Sequence, residues 1–288
     1  MTEGGMSRRF RAGLVQMRSG RDPAANIAVA ESLIREAAGE GAQYVLTPEM
    51  TNIMNREAPA IVDAIASEPD DPALASLRAL ARDLGIYLHI GSLAIKAEDG
   101  VANRGYLIAP TGAVIARYDK IHMFDVDLAG GDTRRESKLY RPGSRAVAAD
   151  LPWARLGLSI CYDLRFPQLY RSLAHAGAQV LAIPSAFTRQ TGQAHWHILL
   201  RARAIETGSF VLAAAQGGRH EDGRETYGHS LIVDPWGRIL AEAGEDPGVV
   251  VADIDVGASD AARAQIPVLQ HDRDFDHPEK EPPGRAVA

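Results

Sequence analysis

The sequence predicts a layered α/β domain with mixed sheets, and three observations carry that expectation. Short strand-like runs alternate with helical periods through most of the chain. Hairpin-like units are embedded in the alternation, which favours mixed over purely parallel sheets. At 288 residues, with 46% hydrophobic and 24% charged residues, the chain is long enough to bury a full core without staples. No internal repeat or linker divides it, so a single domain is expected.

Taken in order, residues 11–17 (RAGLVQM) read as the first strand. Residues 25–38 carry Ile27, Ala30, Leu33, Ile34 and Ala37 at helical spacing. Residues 44–46 form a short buried strand. Asp71 followed by Pro72 is an N-cap with proline at the first helical position, opening a helix with Leu74, Leu77, Leu80, Ala81 and Leu84 on one face. A strand follows at 86–90. Residues 106–109 and 114–118 pair as a hairpin turning at 110–112. Residues 119–143 are polar with little periodicity, and stretches this long inside compact domains are functional or disordered. Residues 156–160 are a strand, 167–176 a helix and 180–183 a strand. The helix expected at 193–206 turns His195, Ile198, Leu199, Ala202 and Ile205 toward the core, leaving Trp196, Leu200 and Arg203 as a second edge for another subunit. Strands at 210–215, 229–233 (with a turn at 234–237) and 249–254 complete the pattern. Residues 275–288 hold three prolines and read as a tail, mobile or held at a subunit interface.

The net charge of −6 removes the footprint of a nucleic-acid binder and leaves no polybasic surface for an acidic membrane. Residues 1–10 lack the apolar core of a secretory signal, and no apolar run approaches the ~20 residues of a membrane span. A single cysteine, Cys161, excludes an internal disulfide and any cysteine-based metal centre. These readings point to a soluble, cytoplasmic protein with neither nucleic-acid nor membrane partners.

The strongest local signal is GLSICYDLRFP at 157–167: an apolar strand carries a thiol to its C-terminal edge, just before the helix start at Pro167. Ligands bind at that edge in open α/β sheets. A serine-hydrolase elbow is rejected, because Cys161 replaces the final glycine of G-x-S-x-G and Ser159 sits mid-strand. A thiol needs a base, and a developing oxyanion needs positive charge or hydrogen-bond donors. Glu49 lies just beyond the strand at 44–46, and Lys120 just beyond the one at 114–118. Alone, Glu49 reads as a helix cap and Lys120 as a solvated charge. Together they occupy equivalent strand ends.

The segments LTPEM, RYDKIHMFDVD, RESKLYRPG, GLSICYDLRFPQLY, PSAFTRQTGQAHW, LLRARAIE and YGHSLIVDPWG resemble the nitrilase superfamily of carbon–nitrogen hydrolases over residues 9–274. They are most similar to the Nit amidases, in the branch acting on deaminated glutathione. The resemblance implies a four-layer α-β-β-α sandwich and a homodimer or larger homo-oligomer. It also implies a Glu–Lys–Cys triad at Glu49, Lys120 and Cys161, joined by Glu136, with the Tyr162 N–H at the oxyanion. Arg165 is the candidate grip for a substrate carboxylate, and Thr188 a second pocket residue. One departure is His197, where relatives often carry glutamate.

The implied reaction is cysteine-dependent hydrolysis of a small carboxylated amide through a thioester, with deaminated glutathione first. An ω-amidase acting on 2-oxoglutaramate or 2-oxosuccinamate, or an N-carbamoyl hydrolase, stands second. A non-catalytic relative is disfavoured by the presence of all four polar residues. Nine histidines raise the question of metal, but His195 and His197 point to different sides of a helix, and His220 and His229 show no ligand spacing. No metal is expected, Gly217-Gly218 lacks phosphate-loop spacing, and thiol hydrolysis needs no cofactor.

Overall fold

The computed structural model describes residues 8–128 and 133–278. The chain opens with β1 (Arg9–Gln16), α1 (Pro23–Gly39), β2 (Tyr44–Leu46), α2 (Ala58–Ala64) and α3 (Pro72–Leu84). Then come β3 (Tyr87–Ala97), β4 (Gly100–Ile108), β5 (Val114–Asp119), β6 (Asp125–Asp127), β7 (Thr133–Arg135) and β8 (Tyr140–Arg141). The second half holds β9 (Val147–Asp150), β10 (Arg155–Leu158), α4 (Pro167–His175), β11 (Val180–Ala182), α5 (Arg189–Thr207) and β12 (Phe210–Ala213). It ends with β13 (Gly217–Arg219), β14 (Glu225–Tyr227), β15 (Leu231–Val233), β16 (Ile239–Glu242), β17 (Gly248–Asp255) and α6 (Gly257–Gln265).

One sheet runs β17-β1-β2-β3-β4-β5 with β8 on β4; the other runs β16-β15-β12-β11-β10-β9. Each has a parallel centre, β1-β2-β3 and β10-β11-β12, with antiparallel pairings outside it except for β8, which lies parallel to β4. Alternation along the strands explains the layers. Phe10, Ala12, Leu14, Tyr44 and Leu46 face the second sheet and pack with Leu156, Leu158 and Val180. Val15 and Val45 point the other way, onto Ile27, Ile34, Leu74 and Leu77 of α1 and α3. Helices α4 and α5 cover the second sheet through Leu169, Leu173, Trp196 and Leu200. The four-layer α-β-β-α sandwich is therefore present. Asp71 caps α3 by accepting from Leu74 N at 2.7 Å, with Pro72 at the first position and Gly85 closing the helix at φ 66°.

Helix α5 departs from expectation in start and phase. It begins at Arg189, capped by Thr188, and its buried positions include Gly192, Trp196, Leu200, Arg203, Ala204 and Thr207. Trp196 donates from Nε1 to His229 O at 2.8 Å, and Arg203 donates to Leu164 O from both Nε and Nη2. The edge assigned to a partner subunit is thus interior. Ile198 is 70% exposed and Ile205 54%, so the expected core face looks outward. His195 is exposed and meets Arg165 rather than packing on Ile198 and Leu199. The helix carries two apolar edges, and packing against the second sheet selects the one bearing the indole. Residues 119–143 are more ordered than their composition suggests, holding β6, β7, β8 and a 3₁₀ turn at Glu136–Lys138. The expected tail falls partly at 275–278, which form no regular element; its remainder, 279–288, lies outside the described residues.

Candidate active site

The nucleophile candidate sits on a strained turn. Strand β10 ends at Leu158, two residues earlier than expected, and Cys161 opens a 3₁₀ turn through Arg165. Its φ is 51°, a left-handed conformation that costs a non-glycine residue free energy and persists where surrounding bonds hold it. Cys161 N donates to Pro184 O at 2.9 Å, and Asp163 supplies the brace. The fully buried Asp163 carboxylate accepts from Ile160 N (2.9 Å), Tyr118 Oη (2.7 Å) and His122 N (3.0 Å), and pairs with His122 Nδ1 (2.7 Å). Tyr118 and His122 flank Lys120 at two residues on either side, so one carboxylate ties the cysteine turn to the lysine strand. Ser159 is interior, bonded to Ala182 O and Tyr170 Oη. The sharp turn that the sequence lacks at serine occurs at the thiol instead.

Glu49 and Lys120 reach the same place from the first sheet. The loop after β2 passes over Gly91 so closely that a Cβ there would lie 2.1 Å from Thr47 O. Only glycine permits that crossing. Lys120 Nζ bonds Glu49 Oε1 at 2.9 Å and both oxygens of Glu136, at 2.9 and 2.8 Å. Glu49, Lys120 and Cys161 are 4%, 2% and 8% exposed. Asn103 of β4, which carries no recognisable motif, donates to Glu49 Oε1 at 2.9 Å and Glu136 Oε1 at 3.3 Å. Ala186 N donates to Glu49 Oε2, and Phe124 N to Glu136 Oε2. The polar 119–143 stretch therefore brings Glu136 into the cluster.

The sequence leaves open which neighbour governs the thiol. Burial, and next the Glu49 charge, push Cys161 well above its ordinary pKa, and the Lys120 charge opposes them without prevailing. For Lys120, burial favours the neutral amine, but Glu136 and Glu49 outweigh it and hold the ammonium well above the usual lysine value.

These groups line one cavity of about 430 Å³. Arg165 and Thr188 line it too. The Arg165 guanidinium lies over the rings of Phe187 (5.3 Å) and Tyr162 (5.9 Å). Thr188 is already engaged as the α5 cap, with its hydroxyl 2.8 Å from Thr191 Oγ1. Besides Lys120, six cationic side chains line the wall: Arg56, Arg134, Arg135, Lys138, Arg165 and Arg224. Arg135 is paired with Asp127 and Arg224 with Asp222. The cationic wall contrasts with a chain of net charge −6.

Outside the cavity, the histidines are less scattered than their spacing suggests. His197 Nε2 and His229 Nδ1 both bond Glu242 Oε1, at 2.8 and 2.9 Å, and the three donor atoms lie within 4.8 Å of one another. The ligand-type grouping that sequence spacing did not show thus joins α5, β16 and the segment before β15. His220 is buried, bonded to Ser19 O and Thr226.

Two face-to-face mixed sheets with a thiol, a carboxylate and an ammonium at their strand ends place the chain in the nitrilase superfamily, as its motifs imply. More narrowly, it belongs to the carbon–nitrogen hydrolase family, whose model matches residues 11–264. It is 40% identical over 264 residues to the deaminated glutathione amidase of Yersinia enterocolitica, covering 90% of this chain and 92% of that one. The Caenorhabditis elegans NitFhit structure superimposes with a TM-score of 0.87 at 38% identity, over 92% of this chain and 65% of that longer one. A mutant of the amidase from Nesterenkonia sp. AN1, with the acetamide moiety of fluoroacetamide covalently added at its active site cysteine, matches with a TM-score of 0.78 at 28% identity over 95% of this chain and 96% of that one. Among the described residues, no helix is long and apolar enough to cross a membrane.

Proposed function

We propose that this amidase hydrolyses a small carboxylated amide through a thioester on Cys161, with deaminated glutathione as substrate. The observation that carries the chemistry is the buried contact of Glu49 with Lys120 in the one cavity that Cys161 also lines. Glu49 takes the Cys161 proton as sulfur adds to the amide carbonyl. The oxyanion that forms is stabilised by the Lys120 charge and the Tyr162 N–H. The C–N bond breaks as Glu49 passes the proton to the departing amine, leaving an acyl thioester. Water, deprotonated by Glu49, then releases the carboxylic acid and returns the thiol. Glu136 and Asn103 hold Lys120 and Glu49 in register.

The cationic wall supports an anionic substrate, with Arg165 on the cysteine's own turn gripping the 2-oxo acid end. Similarity to relatives named deaminated glutathione amidases favours that amide over the ω-amidase and N-carbamoyl alternatives. Steady-state kinetics on deaminated glutathione, 2-oxoglutaramate and an N-carbamoyl amino acid decide the order. The highest kcat/KM is expected on deaminated glutathione, and a higher value on either of the others reassigns the substrate.

A further inference from the structure

We propose that Arg224, on the turn joining β13 to β14, holds a carboxylate on the leaving-group side, so that the enzyme selects amides whose departing amine carries an anion. This rests on the amidase reading above and extends it to the other half of the substrate.

Arg224 lines the same cavity as Cys161 and Arg165 but is anchored on other segments of the chain. Arg165 belongs to the cysteine turn and its aromatic neighbours, Tyr162 and Phe187. Arg224 instead packs on the segment that follows Glu49: its Nη2 donates to Asn55 O at 2.8 Å and its Nη1 reaches Met54 Sδ at 3.0 Å. Met50, Ile53 and Met54 give this wall an apolar surface beneath the guanidinium. The two guanidinium groups are thus anchored on separate segments of the one cavity. They suit a substrate with an anion at each end and an apolar span near the scissile bond.

Arg224 is also preset for binding. Nε donates to Asp222 Oδ2 at 2.7 Å, and the Arg224 N–H donates to Asp222 Oδ1 at 3.0 Å, fixing the side chain from its own turn. A guanidinium fixed in this way loses little further freedom on binding. Nη1 is the group with capacity to spare, since a thioether is a weak acceptor and a carboxylate a far better one. Burial holds the Arg224 pKa below its ordinary value, with the Arg134 charge adding to the effect and Asp222 opposing it. An incoming anion relieves that cost. The matching leaving group is an amino acid or short peptide with a free C-terminal carboxylate.

The test compares two amides with the same 2-oxo acyl part, one releasing a dipeptide with a free C-terminal carboxylate and one releasing the same dipeptide as its C-terminal amide. The readout is the ratio of their kcat/KM values within each enzyme, which cancels any loss common to both. The wild type is expected to favour the free carboxylate by about 10- to 100-fold, the range for a charge-assisted hydrogen bond. Arg224→Gln should bring the ratio near one, and Arg224→Lys should give an intermediate value. A wild-type ratio near one, or an unchanged ratio in Arg224→Gln, overturns the subsite. Failure of the wild type on both amides overturns the amidase reading on these acids, and the subsite with it.

Discussion

Burial, and next the charge of Glu49, push the Cys161 thiol pKa up. Alkylation by iodoacetamide near neutral pH is therefore expected to be slow in the wild type. Glu49→Gln separates the two effects. It removes the charge that disfavours the thiolate and leaves that of Lys120, so the thiol pKa falls. Alkylation at pH 8 should rise about tenfold for each unit of that fall, while amide hydrolysis drops by about 10²- to 10⁴-fold with the loss of the base. An alkylation rate below wild type would contradict the electrostatic account. Glu49, Lys120 and Cys161 were legible in the sequence because each polar residue follows the end of a strand. Asn103 was not, since an asparagine inside a strand has no pattern to mark it, and only three-dimensional pairing shows its two carboxylate partners. Glu136 was visible through family resemblance alone.

At the level of elements, the site depends on a join between sheets as much as on the strands themselves. Asp163 receives donors from β5, from the residues after it and from its own turn. Asp163→Ala leaves those buried donors without a partner, at about 1–3 kcal/mol for each group not reached by water. Urea unfolding should show a loss of at least about 3 kcal/mol, with Asp163→Asn recovering part of it because its carbonyl still accepts. A change under about 1 kcal/mol in Asp163→Ala would mean that the join is not structural. Strand positions and the Asp71-Pro72 helix start followed from local chemistry that does not depend on distant partners. The phase of α5 did not, because both its edges are apolar. It is settled by contacts from elsewhere, including Gly192, where a Cβ would lie 2.3 Å from the Tyr227 ring, and Trp196 against Phe187. The strained turn at Cys161 was equally hidden, since it is held by Pro184 and Asp163 rather than by a glycine.

For the whole molecule, the corrected phase of α5 moves the surface available to another copy of the chain. Ile198 and Ile205 face outward, and Trp236, Ile239 and Leu240 of the β15–β16 hairpin are also exposed, with Gly237 of that hairpin against Ile205. The homo-oligomer implied by family resemblance is expected to bury this strip, not the interior Trp196 edge. Light scattering should give a mass of at least twice 30.9 kDa for the wild type and a smaller one for the Ile198→Asp, Ile205→Asp double variant. A wild-type monomer at micromolar concentration contradicts the expectation. Two sheets bring a sulfur, a carboxylate and an ammonium together, and the proposed passage of the acyl group through the sulfur depends on that meeting. Its most direct measurement is intact-mass and peptide mapping of enzyme quenched in acid during turnover of deaminated glutathione. The expected result is an acyl thioester confined to the Cys161 peptide, with Cys161→Ala giving neither adduct nor product. Full turnover by Cys161→Ala would contradict it.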